Sequence, residues 1–172
     1  MPASIARPFG RLDGRSAFVS GGAQGIGAAI VRSFVHAGAK VVIGDLDISS
    51  ASDLAGQVGA TAARLDVGDT GMVQQIMSQH GPFDILVNNA GADQHAFFTD
   101  TTPADWAKLL AVNLVSVFAC THAALPAMQA AGFGRIINIT SEAARLGSKG
   151  GAVYSAAKGG VIAFAKSIAP LQ

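Results

Sequence analysis

Residues 17–31 read AFVSGGAQGIGAAIV, a short apolar run that passes through a glycine-rich turn into a helical pattern. Gly21, Gly25 and Gly27 occur here with the spacing G-x-x-x-G-x-G. Gly21 permits a tight turn, Gly25 lets the backbone approach a phosphate, and Gly27 allows a helix to pack closely on a strand. Because the free amides and the dipole at a helix N-terminus favour an anion, this stretch predicts a binding site for a pyrophosphate group.

An acidic residue at the end of the next apolar run supports this prediction. The run KVVIGD, residues 40–45, ends in Asp45, eighteen residues after Gly27. A carboxylate at about this distance accepts hydrogen bonds from the ribose of a dinucleotide and repels the 2′-phosphate of NADP. A glycine loop alone is weak support, and Asp45 alone could be a solvated turn residue like Asp47. Their occurrence together favours a site for NAD.

Short apolar runs alternate with amphipathic stretches along the chain. The predicted strands are SAFVS (16–20), KVVIGD (40–45), ATAARLD (60–66), DILVNNA (84–90) and GRIINITS (134–141). The predicted helices cover residues 25–38, 49–59, 69–81, 102–132 and 152–169. Thr102 and Pro103 form an N-cap followed by proline at the start of the fourth helix. This alternation predicts an α/β fold of the Rossmann type, a doubly wound parallel sheet with helices on both faces and ligands beyond the carboxyl ends of the strands.

Composition limits the function classes that fit this chain. Half of the 172 residues are apolar, 13% are charged, and the net charge is +1 without a basic run. We therefore expect one globular unit with no nucleic-acid or anionic-membrane partner. The start lacks the apolar core of a signal peptide, and no apolar run approaches the length of about 18 residues that spans a membrane. The sequence favours a soluble, cytoplasmic protein without a metal site, in which the single Cys120 is a small buried residue rather than a nucleophile.

The stretch SEAARLGSKGGAVYSAAKGG, residues 141–160, holds Tyr154, the only tyrosine, and Lys158 four residues further on. Residues four apart share one face of a helix, so the Lys158 ammonium is expected beside the Tyr154 phenol. A neighbouring cation favours phenolate, which suits a general acid or base. Taken alone, the pair favours a half-buried packing tyrosine and a solvated surface lysine.

The combined motifs resemble the short-chain dehydrogenase/reductase superfamily in its single-domain form. The motifs are SGGAQGIG (20–27), LDV (65–67), NNAG (88–91), VNL (112–114), Ser141 and YSAAK (154–158). They follow the order of the family, and the resemblance extends from about Leu12 to Ala169. It implies a cofactor site in which the pyrophosphate is bound by Gly21, Gly25, Ile26 and Gly27. Asp45 would bind the ribose, and Asp66 and Val67 would flank the adenine. The resemblance also implies that Asn89, Ala90 and Gly91, with Tyr154 and Lys158, lie beside the cofactor, and that NAD is preferred over NADP because of Asp45.

The same resemblance implies an active site made of Asn113, Ser141, Tyr154 and Lys158. Tyr154 exchanges a proton with the substrate oxygen, and Ser141 donates a hydrogen bond to that oxygen. Lys158 holds the nicotinamide ribose and stabilises phenolate, while Asn113 bends its helix and anchors a water that relays protons from Lys158. Without the resemblance, Asn113 could be an exposed polar group on a helix, and Ser141 a cap or turn serine.

The resemblance implies an NAD(P)-dependent oxidoreductase acting on a secondary alcohol or ketone. Similarity around residues 98–114 and 141–154 extends to hydroxyacyl-CoA dehydrogenases and 3-oxoacyl-carrier reductases, so an acyl thioester is one candidate substrate. A dinucleotide-binding or subunit-interaction fragment without turnover is the alternative. The full-length form is expected to be a homodimer or homotetramer.

Members of the family continue through another strand, a substrate lid, a further helix and a last strand, which this chain does not match. We therefore expect an incomplete dinucleotide-binding domain over residues 11–172. Residues 1–10, which precede the first motif, are expected to form a flexible segment. In that state the fifth strand is an unprotected edge, and some apolar residues of the last helix are uncovered. Pro170 is expected to stop this helix where the family helix continues. Weak nucleotide binding and negligible turnover are expected from the 172-residue chain alone.

Overall fold

The computed structural model describes residues 10–169. Apart from Gly10, the N-terminal segment expected to be flexible lies outside the described residues, and so does Pro170.

Five parallel strands form one sheet in the order β3-β2-β1-β4-β5. The strands are β1 (Ser16–Ser20), β2 (Lys40–Asp45), β3 (Thr61–Arg64), β4 (Ile85–Asn88) and β5 (Arg135–Asn138). β1 pairs with β2 on one side and with β4 on the other. The chain therefore reverses its direction of winding after β3, and the crevice of such a sheet opens between the carboxyl ends of β1 and β4.

Seven α-helices connect or follow these strands in the described part of the chain. They are α1 (Gly25–His36), α2 (Ile48–Val58), α3 (Thr70–His80), α4 (Pro103–Leu110), α5 (Ser116–Ala131), α6 (Ala143–Leu146) and α7 (Ala152–Ile168). A 3-10 turn covers Phe98–Asp100, and a π-helical turn covers Ala111–Val115. Sequence analysis missed α6 and the 3-10 turn because elements this short carry no periodic apolar pattern.

Each face of the sheet carries its own apolar core. In β1, Ala17 and Val19 pack with β2, β4, α1 and α2 on one face. Phe18 points to the opposite face, where it packs with α3, α5 and Leu86 of β4. This alternation follows from the two-residue period of a strand, and it places helices on both sides of a buried parallel sheet. The predicted α/β doubly wound fold is confirmed.

The predicted fourth helix is one helical run with a π-helical turn inside it. Thr102 and Asp105 form a reciprocal capping box at its start, and Pro103 occupies the first turn, as the sequence predicted. The run Pro103–Ala131 has 29 residues and a mean hydropathy of 1.7, long and apolar enough by length and composition to cross a membrane. The expectation that no run reaches this length was wrong, because small residues such as Ala raise the hydropathy. The run also carries the core residues Val117, Cys120 and Ala124, and α5 packs against α3 and β4.

β5 forms the outer strand of the sheet on the side of α7. The side chain of Ile137 in β5 is 41% exposed, whereas all four residues of β4 are buried. In α7, Val153 and Val161 are buried, while Ile162, Phe164 and Ile168 are only half-buried. Ser141, which follows β5, and Tyr154 and Lys158 of α7 therefore belong to the less covered side of the domain.

Candidate active site

The glycine turn between β1 and α1 has the geometry expected for approach of a ligand. Gly21 and Gly25 adopt positive φ angles of 63° and 55°. A Cβ atom at Gly25 would meet no heavy atom within 4 Å, whereas one at Gly27 would lie 2.1 Å from the Gly21 carbonyl oxygen. Gly25 therefore leaves the turn open, and Gly27 permits the close contact between helix and turn. The N-cap Gln24 makes no side-chain capping bond, so the first amides of α1 face the cleft without a side-chain partner.

Two polar side chains tie this turn to the end of β4. Ser20 accepts hydrogen bonds at Oγ from the amides of Asn89 and Ala90, at 3.1 and 3.2 Å. Asn89 donates from Nδ2 to the carbonyl oxygens of Ser20 and Gly21, at 3.0 and 2.7 Å. Asn89 therefore holds the backbone of the glycine turn in place from the end of β4. Sequence analysis did not single out Ser20, and the only available signal was a hydroxyl at the last position of a buried strand.

Asp45 lies at the carboxyl end of β2 and contacts the glycine turn. Its Oδ2 accepts a hydrogen bond from the Ala23 amide at 2.9 Å, and its Oδ1 accepts one from the Asp47 amide at 3.0 Å. Each carboxylate oxygen has a further lone pair that can accept from a ribose hydroxyl. Asp45 is therefore placed both to shape the turn and to contact a ligand.

A cleft of about 470 Å³ brings most of the predicted cofactor residues together at the carboxyl edge of the sheet. Its lining includes Gly21, Asp45, Asp66, Val67, Asn89, Ala90 and Gly91. Gly25, Ile26 and Gly27 follow the lining residue Gln24 at the start of α1, and Ile26 is 63% exposed. Lys108 and Val112 complete the wall, and sequence analysis did not assign either of them to the cofactor. The open turn, the free helix amides and the acid at the end of β2 fit a dinucleotide.

Lys158 is buried in the middle of α7, with only 4% of its surface exposed. Its Nζ donates a hydrogen bond to the Ile139 carbonyl oxygen at 3.0 Å and lies 5.8 Å from the centre of the Tyr154 ring. Burial lowers the pKa of Lys158 from its ordinary value, because a buried ammonium loses its hydration. A Cβ at Gly91 would lie 3.4 Å from this Nζ, so glycine keeps the approach to the cleft open.

Asn113 is fully buried in the π-helical turn. Its Oδ1 accepts from the Ala92 amide at 3.2 Å, and its Nδ2 donates to the carbonyl oxygens of Ala92 and Leu109 at 2.8 and 3.0 Å. The π turn interrupts the regular helical ladder here, so the Leu109 carbonyl is available to the side chain. Both amide hydrogens of Asn113 are used by backbone, and a water anchored here would have to bind the remaining lone pair of Oδ1.

Ser141 and Tyr154 come from the segments that follow β5, and neither is among the residues that line the cleft. Ser141 accepts at Oγ from the Ala143 amide at 3.2 Å, at the start of α6, and its hydroxyl hydrogen remains available to a ligand. Tyr154 is half-buried in the first turn of α7, one turn before Lys158. A Cβ atom at Gly91 would lie 3.0 Å from Asn113 Oδ1 and 3.4 Å from Lys158 Nζ, so these two side chains converge at Gly91. Tyr154 is linked to this group through Lys158, whose Nζ lies 5.8 Å from the centre of the Tyr154 ring.

Within residues 10–169, neither the single cysteine nor a cluster of metal-binding side chains contributes to the site. Cys120 is 1% exposed, and burial raises the pKa of its thiol to about 12, so it is a packing residue, as the sequence predicted. Among residues 10–169, no three His, Cys, Asp or Glu side chains are grouped so that they could hold a metal ion.

The strand order, the glycine turn and the cleft define a Rossmann-type domain, in which the buried Lys158 lies 5.8 Å from the Tyr154 ring. Residues 15–170 match the family model described as short chain dehydrogenase. The chain belongs to the short-chain dehydrogenase family, whose members are oxidoreductases that use a nicotinamide cofactor.

Relatives with named activities are similar over nearly the whole chain. The 3-oxoacyl-acyl-carrier-protein reductase of Chlamydia pneumoniae is 38% identical over 169 residues, which cover 92% of this chain and 67% of the relative. The D-threitol dehydrogenase of Mycolicibacterium smegmatis is 36% identical, with 92% and 65% covered. The acetoacetyl-CoA reductase of Shinella zoogloeoides is 37% identical, with 90% and 66% covered. The chain thus spans about two thirds of the length of these relatives.

A solved structure shows the same fold. A short chain dehydrogenase/reductase family protein superposes with a TM-score of 0.91 at 34% identity, covering 94% of this chain and 69% of the other.

Proposed function

We propose that this protein transfers a hydride between a nicotinamide cofactor and a secondary alcohol or ketone, with Tyr154 as the general acid and base. The observation that carries this proposal is the buried Lys158, which lies 5.8 Å from the Tyr154 ring and against Gly91 of the cleft. A binding domain without turnover has no use for a buried ammonium next to a phenol, because burying that charge opposes folding.

Each proposed catalytic side chain has a separate role in the reaction. When bound, the nicotinamide supplies or accepts the hydride. In reduction, the Tyr154 hydroxyl gives its proton to the carbonyl oxygen of the substrate, and in oxidation the phenolate takes it back. The Lys158 ammonium stabilises the phenolate through its charge, and the free Ser141 hydroxyl hydrogen holds the same substrate oxygen. Asn113 fixes the Ala92 peptide, which lies at the cofactor side of the cleft.

The cofactor proposed for this site is NAD rather than NADP. The Asp45 carboxylate lines the cleft at the end of β2, where it can accept ribose hydroxyls. A 2′-phosphate at this position would meet a like charge.

A 3-oxoacyl thioester is the proposed substrate class. Two of the similar proteins carry names that specify 3-oxoacyl or acetoacetyl thioester reduction, and a third carries the name of a polyol dehydrogenase. The segments that precede and follow the predicted catalytic residues expose large apolar side chains. Phe97 is 56% exposed, Phe98 is 54% exposed and Leu146 is 78% exposed. These side chains do not line the cleft itself, and we propose that they contact an acyl chain outside it, for which an apolar surface suits better than for a polyol.

The test is a cofactor-linked assay on the protein expressed from its natural gene. Acetoacetyl-CoA with NADH or NADPH is compared with sorbitol and D-threitol with NAD or NADP, by absorbance of the reduced nicotinamide. We expect the thioester with NADH to give the highest kcat/KM. Nucleotide binding without turnover on any of these substrates would refute the catalytic proposal and favour a binding module.

We also propose that the protein assembles as a homodimer or homotetramer. Val115, the last residue of the π-helical turn, and Phe118, in the first turn of α5, are 39% and 37% exposed, and Phe118 packs on Phe164 of α7 with ring centres 4.6 Å apart. This apolar surface lies on the helices rather than at the cleft, so contact with a second copy would leave the cleft accessible.

A further inference from the structure

The helix that carries Tyr154 and Lys158 begins without a capping side chain of its own. Its N-cap is Gly151, which has no side chain, and no capping bond is made from that position. The first amides of any α-helix lack partners within the helix, and leaving them unsatisfied destabilises the first turn. Tyr154 is the third residue of this turn. The position of its phenol therefore depends on what satisfies these amides.

Gln94 supplies the missing cap from another part of the chain. Its Oε1 accepts hydrogen bonds from the amides of Val153 at 3.1 Å and Tyr154 at 3.4 Å. The Gln94 residue is only 8% exposed. We propose that Gln94 is a positioning residue that holds the first turn of α7, and with it the Tyr154 phenol, in the orientation used for proton transfer. This inference rests on the proposed function of Tyr154.

The loop around Gln94 is itself held at three points. The Asn113 side chain binds both the backbone amide and the backbone carbonyl of Ala92. At the other end, the Ala96 amide donates to the Gly150 carbonyl oxygen at 3.1 Å, and Gln94 Nε2 donates to the Ala96 carbonyl oxygen at 3.3 Å. Gln94 is thus fixed between the π-helical turn and the start of α7. A chain of hydrogen bonds and peptide links connects Asn113 to Tyr154 without passing through Lys158.

Lys158 is fixed independently of this cap. It is one turn further along α7, where its Nζ binds the Ile139 carbonyl oxygen and its own carbonyl oxygen accepts from Thr140 Oγ1 at 3.1 Å. Loss of the cap should therefore move the phenol relative to an ammonium that stays in place. Displacements of about 1 Å in a reacting group reduce turnover by roughly a hundredfold. Cofactor binding should change little, because the glycine turn, Asp45, the residues after β4 and Lys158 are all held by contacts other than this cap.

Three variants test this role. Gln94→Met keeps the length of the side chain but removes the acceptor. Gln94→Glu restores an oxygen at the same place, where a negative charge also suits a helix N-terminus. Asp69→Ala is the matched control, because Asp69 accepts from the amides of Gly71 and Met72 and so caps α3, a helix that carries none of the proposed site residues. For each variant, kcat, the Kd for NADH, thermal stability and hydrogen exchange at the amides of Val153 and Tyr154 are measured.

We expect Gln94→Met to lower kcat by tenfold to about a hundredfold, to leave the Kd for NADH within about twofold, and to accelerate exchange at the two amides. Gln94→Glu should recover most of the lost turnover and protection. Asp69→Ala should lower thermal stability and leave kcat unchanged. Equal losses of kcat and cofactor affinity in Gln94→Met, or no recovery in Gln94→Glu, would overturn the positioning role.

The amide exchange separates this inference from the proposed function. If the wild-type protein reduces none of the substrates, the proposed function fails, and exchange at Val153 and Tyr154 alone then decides whether Gln94 holds the turn. Unchanged exchange in Gln94→Met would refute the inference even in an active enzyme.

Discussion

At the scale of single residues, Tyr154 offers a direct test of the proposed chemistry. Tyr154→Phe removes one oxygen and keeps a half-buried ring in the first turn of α7. Because a positioned acid or base contributes about 10²- to 10⁴-fold, we expect kcat to fall by at least two orders of magnitude. The Kd for NADH, measured by quenching of the single tryptophan, should stay within a few-fold of the wild-type value. Turnover near the wild-type level would remove Tyr154 from the mechanism.

Lys158 should make the free energy of unfolding rise with pH in the alkaline range. Burial lowers the pKa of Lys158, so above this lowered value the folded state binds fewer protons than the unfolded state. The free energy of unfolding then rises with pH until the unfolded lysine titrates, at about pH 10.4. The wild type should therefore gain stability relative to Lys158→Met between neutral pH and pH 10.

Urea unfolding at several pH values measures this difference. Lys166→Met, which changes an exposed lysine of the same helix, is the matched control. A wild-type advantage that stays constant or shrinks as the pH rises would contradict the prediction. At neutral pH, Lys158→Met should lose turnover without a comparable loss of stability, because a buried charge is removed.

Asp45 should control the choice between the two nicotinamide cofactors. Asp45→Asn removes the charge and keeps a carbonyl oxygen that can accept from the Ala23 amide, as Oδ2 does in the wild type. We expect the ratio of the Kd for NADPH to the Kd for NADH to fall, because repulsion of the 2′-phosphate is lost. Fluorescence titration with both cofactors measures the ratio. Tighter binding of NADPH than NADH by the wild type would show that the assignment of Asp45 is wrong.

At the scale of elements, the side chain of Asn113 ties the π-helical turn to the Ala92 backbone and to the Leu109 carbonyl. Asn113→Leu keeps the volume but leaves the polar groups of Ala92 and the Leu109 carbonyl without this partner. An unsatisfied buried polar group costs about 1–3 kcal/mol, so we expect the free energy of unfolding to fall by about 2 kcal/mol or more. Urea denaturation followed by circular dichroism measures the loss. A change below about 0.5 kcal/mol would mean that the turn does not depend on Asn113.

The regular elements were predictable because their patterns are local. All five strands lie within the segments predicted for them, since each is a short apolar run that ends at Gly, Asp, Asn or Ser. The N-cap of α4 was predictable from Thr102 and Pro103 for the same reason. The π-helical turn was not, because one irregular turn scarcely changes the helical periodicity.

The parts of the site that sequence analysis missed depend on distant contacts. Gln94 and Tyr154 are separated by 60 residues, and Ser20 and Asn89 by 69 residues. No local pattern relates the members of either pair. The resemblance to the family led to Tyr154, Lys158, Ser141 and Asn113, but it did not show which polar residues hold them in place.

At the scale of the whole molecule, the switch of winding direction brings the site together. Strand order places β4 directly beside β1, so residues from widely separated parts of the chain meet at one edge of the sheet. The cleft lies at this edge, as predicted for a doubly wound sheet.

The state of assembly is a testable property at this scale. We expect sedimentation equilibrium of the protein expressed from its natural gene to give a homodimer or homotetramer. Burial of exposed apolar groups such as Val115 and Phe118 favours association. Val115→Lys should shift the equilibrium toward smaller species, because a charge would be desolvated in the contact. A monomer at micromolar concentration would refute this prediction.

The double attachment of Asp45 has a consequence for how such a protein could evolve. The carboxylate proposed to select the cofactor also holds the Ala23 amide, and through it the shape of the glycine turn. A mutation to a small neutral residue would change cofactor selection and at the same time loosen the turn to which either cofactor binds. A lineage that replaces Asp45 by a residue without an acceptor therefore needs a compensating substitution that supplies a new acceptor for this amide, whereas Asp45→Asn does not. The two changes are expected to be epistatic, with the single mutant less fit than either ancestor or descendant.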